Sequence, residues 1–391
     1  IASAVHFHSQ RASSTNTPTH SCPYGLDLAT LCDLQPAEVM GTPEEMRKMN
    51  LIDMLVDDHD GVEEPPEYAI KLWTEDQIRQ YFESGGLLSG LPEPAAAPKP
   101  LSPEELKKKF PMPSADDIKK WFPGLVRSKT QCDKPKMRVL CFTNAGNEEN
   151  VFTMEGIGAR RVSTLLEFCR SSSVEMLAVQ LPGRSARKDE PFYQTAQEAA
   201  ADVLKMVAPF IIDTPYCVIG HSLGTWLSFE MLSLAREEGL PQPLQVFLSA
   251  FTTPDMPVAD RPWKVNRGMP DAEFMVECQG WDVNEVVFKE PMWSQYSPMM
   301  RADFTLFDEY EYKRSGQAPF DFPITSFFAR DDKKIKESMV KGWANFTTQA
   351  FECNQIDGNH LYIMGINEQR DAKLKWYEII VGQLKKLPHF N

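Results

Sequence analysis

From Met137 onward, short runs of β-branched, aromatic and other apolar residues alternate with segments of helical periodicity. That alternation restricts the chain to an α/β fold, a mostly parallel central sheet with helices on both faces. Strands are expected at 138–143, 175–181, 215–220, 244–249, 324–328 and 350–355, and helices near 154–170, 195–208, 223–237 and 367–386. Residues 252–318 break the rhythm and read as an inserted helical lid.

Gly220-His221-Ser222-Leu223-Gly224 lies where an expected strand ends and an expected helix begins. A GxSxG pentapeptide arises by chance in about one chain in ten of this length, but the strand before it and the helix after it fit a nucleophile elbow. Its flanking glycines would permit the tight turn that pushes a serine hydroxyl out at the carboxyl edge of the sheet. A serine hydroxyl needs a base in hydrogen-bond reach, and the base needs an acid to hold its tautomer. In the order Ser, acid, His, only His360 and His389 lie downstream of Ser222, and His389 sits two residues from the end. His360, in the turn Asp357-Gly-Asn-His360, is the candidate base. The turn after PITSFF offers Asp332 as the acid, with Asp331 as runner-up. An oxyanion forming at Ser222 would need two N–H donors. Leu223 would supply one, and Ala145, with Asn144 as the alternative, the other, from the loop Thr143–Asn147 after the first strand.

These residues closely resemble the stand-alone (type II) thioesterases of the α/β-hydrolase fold that serve polyketide, nonribosomal peptide and fatty acid synthases. The resemblance spans about residues 137–388 and rests on LCFTNAGN, VQLPGR at 179–184, GHSLG with FEMLSLAREEGLPQP, MPDAEFM at 269–275, PMMRADF at 298–304 and DGNHLYI. Thr143 and Asn144 stand where the family usually has Pro and an aromatic or His, and Asn147 and Ala329 where it usually has Gly. The resemblance implies a serine hydrolase of acyl thioesters with Ser222, His360 and Asp332 as its triad. It implies no cofactor or metal, and an acyl carrier protein or synthase with a phosphopantetheine arm as partner. The same triad would serve a carboxylesterase or acyltransferase, and a catalytically weak scaffold is the reading from another class.

Residues 251–300 hold six of the 18 Met and three of the eight Trp, flexible thioethers beside large rings, as suits a lid over an acyl chain; a buried helical layer would account for the same count. Met299 and Met300 are therefore candidate substrate contacts. Arg184, Arg187 and Lys188 follow the carboxyl end of a strand and are candidate contacts for a carrier phosphate; solvated loop charges are the plainer alternative.

The net charge of −14 and pI near 5.1 argue against nucleic acid as a partner. No uncharged apolar stretch of about 18 residues proposes a membrane span. The eight cysteines form no CxxC pair and suit a reducing, soluble intracellular setting, expected to be cytoplasmic. Residues 1–26, beginning at Ile1 and lacking acids, read as a disordered or transit-like tail of a processed or truncated product, which leaves a plastid open.

Residues 27–136 read as a proline-rich helical extension ahead of a hydrolase domain at 137–391. Ser102–Pro111 and Ser114–Pro123 match at a period of twelve, and 74–82 is a looser third copy. Each carries a capping signal and apolar residues four and eight positions after the cap. The three helices are expected either to pack on the main domain or to dock a further protein partner.

Overall fold

Parallel strands buried on both faces carry near-continuous apolar runs, and the six expected segments all form. The strands β1 (Met137–Phe142), β2 (Val174–Ala178), β3 (Tyr216–His221), β4 (Gln245–Ser249), β5 (Ile324–Ala329) and β6 (Phe351–Ile356) make one parallel sheet in the order β2-β1-β3-β4-β5-β6. The chain runs outward from β1 to β2 and then returns past β1 to β3. The order thus reverses between β1 and β3, and the crevice at their carboxyl ends is where such sheets bind ligands. The loop after β1 and Ser222 after β3 both lie there.

The structure is a computed structural model that describes residues 43–59, 61–66, 69–88, 90–91, 101–158, 161–366 and 369–390. The tail expected over 1–26 lies outside them. The chain divides between Lys99 and Pro100 into two compact units. In the first, α1 (Pro43–Asp58), α2 (Ala69–Leu72) and α3 (Glu75–Glu83) enclose a small core that includes Leu51, Leu55, Trp73, Ile78 and Phe82. Thr74 and Gln77 close the capping box expected for α3.

In the second unit α4 (Pro103–Lys109), α5 (Ala115–Trp121) and α6 (Gly124–Arg127) precede β1. Ser102 and Ser114 cap α4 and α5 as the repeat predicts. Leu106, Phe110, Phe122 and Leu125 belong to the main hydrophobic core, and Phe122 meets Phe210 edge-on at 5.8 Å. The compact units therefore part at residue 99 rather than at the expected 136, because these side chains have their apolar partners in the sheet's own helical layer. Leu106, Phe110 and Phe122 lie in the main core with Ile118 and Trp121 half-buried against it, and Ile78, Tyr81 and Phe82 lie in the small one, so the apolar residues of the repeat pack within the chain.

The sheet's side chains alternate between two layers, Leu140, Phe142, Val218 and Leu248 on one side and Val139, Cys141, Ile219 and Phe247 on the other. After β1 come α7 (Asn150–Thr153) and α8 (Thr164–Ser171), then α9 (Ala196–Ile211) and α10 (Leu223–Glu237). The single helix expected at 154–170 is cut short because Gly156 and Gly158 turn with φ of 73° and 55°. The lid carries α11 (Asp271–Gly280) and α12 (Met292–Asp308), and α13 (Glu337–Lys341) and α14 (Gln369–Leu384) complete the unit. Helices α9, α10 and α12 share the first layer, and α8 and α14 the second. None of the described helices is long and apolar enough to cross a membrane.

Phe122 is 1% exposed. Phe122→Ala is expected to lower unfolding stability by about 3–5 kcal/mol in urea titration. A loss below about 1 kcal/mol would show that α5 and α6 are not part of the core.

Candidate active site

Ser222 sits between β3 and α10 with φ 53° and ψ −127°, a backbone conformation that costs a non-glycine residue free energy. The flanking glycines do not carry this turn, since neither has a positive φ. They are required for space. A Cβ on Gly224 would stand 2.2 Å from the Phe142 carbonyl oxygen, and one on Gly220 would stand 2.7 Å from that of Gly224. The elbow is thus packed directly against the end of β1.

The Ser222 hydroxyl lies 2.9 Å from His360 Nε2, and His360 Nδ1 lies 2.7 Å from Asp332 Oδ2. An ionised carboxylate only accepts, so the proton sits on Nδ1 and Nε2 is free to accept from Ser222. All three residues are buried. Burial works against ionisation of Asp332, but its pairing with His360, with the N–H groups of Ile335 and Lys334 at 2.9 Å, outweighs it and holds the carboxyl below its usual range. Asp331, the runner-up, is exposed and pairs with Arg330.

His221 is the neighbour that holds His360 from behind. Its Nε2 lies 2.9 Å from the His360 carbonyl oxygen, which only accepts, so Nε2 carries the proton. Its Nδ1 then accepts from the Ser249 hydroxyl at 2.8 Å, and that hydroxyl accepts from Tyr362. Complete burial pushes the His221 pKa down to about 3, with the nearby His360 adding to the effect. The lid reaches the same histidine from the front. The Trp281 ring meets the His360 ring edge-on at 4.7 Å, and Asp282 accepts the His360 backbone N–H at 3.1 Å.

Ser222 opens onto a cavity of about 390 Å³. Trp281, Val283, Val287, Met300, Phe304 and Phe307 give it an apolar wall, and Asn144, Ala145 and Gly146 line it beside the serine. Leu223 is the first residue of α10, so its N–H has no carbonyl partner within that helix.

The remaining substrate candidates fall out differently. Arg184 is buried in a two-pronged pair with Asp303, at 2.5 and 2.8 Å. Arg187 is buried too, pairing with Glu190, donating to the Gln180 carbonyl and lying 3.7 Å over the Trp121 ring. Neither can meet a carrier phosphate, because both guanidinium groups are already enclosed by protein partners. Lys188 is exposed. Met300 lines the cavity, whereas Met299, also buried but turned about 100° around the helix, lies outside its lining.

Sequence reasoning counted Trp281 among the rings of the lid but missed its place against His360, and it missed Asp282, Asp303 and the His221 relay. Asp303 left a signal: it lies three or four positions from Met299, Met300, Phe304's neighbour Phe307 and Leu306, and an acid on an apolar helix face needs a partner. Among the described residues no group of three or more His, Cys, Asp or Glu could hold a metal ion.

The thioesterase-domain profile matches residues 153–378. The gramicidin S biosynthesis protein GrsT of Aneurinibacillus migulanus is 28% identical over 214 residues, 54% of this chain and 79% of that one. The medium-chain S-acyl fatty acid synthase thioesterase of Homo sapiens is 27% identical over 225 residues, 56% and 80% of the two chains. Among solved structures, the thioesterase RedJ of the prodiginine pathway in Streptomyces coelicolor superposes with a TM-score of 0.53 at 22% identity, covering 75% of this chain and 98% of that one. The type II thioesterase BorB of the borrelidin cluster gives 0.50 at 20% identity, covering 66% and 95%.

Between pH 6.5 and about 3 the unfolded chain binds a proton at His221 that the folded chain refuses, so this group makes stability fall as pH falls through that window. His221→Asn removes the effect. The wild type is expected to lose up to about 1.4 kcal/mol per pH unit relative to the variant over that range, measured by urea unfolding. Parallel profiles would refute the assignment.

Proposed function

The chain belongs to the thioesterase family, and on that premise we propose that it hydrolyses acyl thioesters with Ser222 as nucleophile, His360 as base and then acid, and Asp332 as the group that orients His360. The observation that carries this reading is the hydrogen-bonded chain from Ser222 through His360 to Asp332 at the floor of an apolar cavity.

Ser222 Oγ attacks the thioester carbonyl while its proton passes to His360 Nε2. The resulting imidazolium stays paired with the Asp332 carboxylate, which favours its positive charge. The carbonyl oxygen becomes an oxyanion, for which Leu223 and Ala145 offer N–H groups, and the start of α10 adds its dipole. Collapse expels the sulfur, which leaves as a thiol with the proton from His360. Water, deprotonated by the same imidazole, then attacks the acyl-serine, and the freed acid departs as Ser222 regains its proton. The apolar wall with Met300 at its centre takes the acyl chain.

Relatives named for gramicidin S biosynthesis and for fatty acid synthase point to a synthase as partner. Within that setting the proposed substrate is an acyl group on the phosphopantetheine arm of a carrier protein. The proposed setting is the cytoplasm.

Steady-state turnover of acyl-CoA and acyl-carrier substrates against p-nitrophenyl esters is the test. Thioesters are expected to be preferred in kcat/KM, and Ser222→Ala is expected to lower kcat by about 10⁴-fold or more and to abolish labelling by a fluorophosphonate. Preference for the oxoester would make the protein an esterase.

A further inference from the structure

We propose that Asp303 and Arg184 are positioning residues of the oxyanion loop: through their ion pair the lid helix α12 holds the loop after β1 in the shape that receives the oxyanion. The proposal rests on the thioesterase reading and deepens it.

An ion pair with each side chain only 3% exposed loses hydration that its own attraction need not restore, so it is not self-justifying as a stabiliser. What distinguishes this pair is where its other bonds go. Asp303 Oδ2 accepts the Gly146 N–H at 2.7 Å, and Arg184 Nη1 donates to the Asn147 carbonyl at 2.7 Å. Arg184 Nε reaches the Pro182 carbonyl at 3.2 Å, tying the group to the loop after β2 as well.

The peptide joining Ala145 to Gly146 is gripped at both ends. Its N–H goes to Asp303, and its carbonyl accepts from the Asn144 side chain at 3.1 Å. Only the two backbone torsions of Ala145 separate that fixed plane from the Ala145 N–H. With the Gly146 N–H engaged by Asp303, the adjoining Ala145 N–H is oriented for the oxyanion by its attachment to that fixed plane. The loop also lies hard against α12, since a Cβ on Gly146, at φ 75°, would come within 2.9 Å of Met300 Cγ. A displacement of α12 would therefore be carried into the oxyanion loop.

Four variants test this, each read by kcat and KM on an acyl-CoA, by the rate of fluorophosphonate labelling of Ser222, and by thermal unfolding. Asp303→Ala removes the Gly146 acceptor and is expected to lower kcat and the labelling rate about 100-fold, with KM within about threefold of wild type. Asp303→Asn keeps an acceptor oxygen while losing the charge, and is expected to retain kcat within about fivefold although its stability falls. Arg184→Met with Asp303→Leu leaves no unpaired charge behind and should fold even where the single variants do not, yet still show the 100-fold loss. Arg138→Met with Glu175→Leu removes a comparable pair at the opposite edge of the sheet, and is expected to spare kcat.

A folded Arg184→Met, Asp303→Leu protein with kcat and labelling within about threefold of wild type would overturn the proposal, as would an equal loss in the Arg138, Glu175 control. If the wild type is labelled by the fluorophosphonate but cleaves no thioester, the thioesterase reading fails. The labelling rates then judge the clamp by themselves, with slow labelling of the double variant supporting it and unchanged labelling refuting it.

Discussion

A serine held at φ 53° and ψ −127° is the constraint around which this fold is organised. Left to itself the backbone would relax out of that conformation, so the surroundings must over-determine it. They do so by contact. The Ser222 N–H is bonded to the Ser249 carbonyl of the adjacent strand, and Gly224 is pressed against the last carbonyls of β1. The same contacts that confine Ser222 also fix the distance between the elbow and the loop after β1, because both hang from the ends of β1 and β3. Strain at one residue is thereby shared across the neighbouring pair β1 and β3.

Around that pair the site is assembled from pieces distant in the chain. The imidazole comes from the turn after β6 and the carboxylate from the turn after β5, and both point inward because parallel strands deliver all their following loops to one edge. Two further supports arrive from outside the sheet. His221, kept neutral by burial, braces the backbone of His360 from the core side, while Trp281 and Asp282 brace it from the lid side. The lid is thus built into the site as well as over it.

How much of this was legible depended on the range of the interaction. Strand and helix periods are local, and the strands were expected within a few residues of where they lie. The elbow was legible because it compresses a strand end, a serine and a helix start into five residues. Asp332 could be separated from Asp331 by its place in a turn. Arg184 and Arg187 were misread for a physical reason: position after a strand's carboxyl end says which edge a residue is on, but not whether a partner from elsewhere in the chain has enclosed it. Asp303 lies more than a hundred residues from Arg184, and Trp121 more than sixty from Arg187, so neither pairing leaves a trace in local pattern. The role of the glycines was likewise invisible, since a sequence shows that a side chain is missing but not what occupies its place.

The helices ahead of β1 have a practical consequence. Phe110, Phe122 and Leu125 complete the layer that α9 also builds, so the catalytic unit begins well before the first strand, at Pro100. The profile match begins later still, at residue 153, beyond both β1 and the loop that follows it. Anyone splicing this enzyme onto another module should cut ahead of Pro100. A junction chosen from similarity alone would discard a central strand and lay bare a greasy flank.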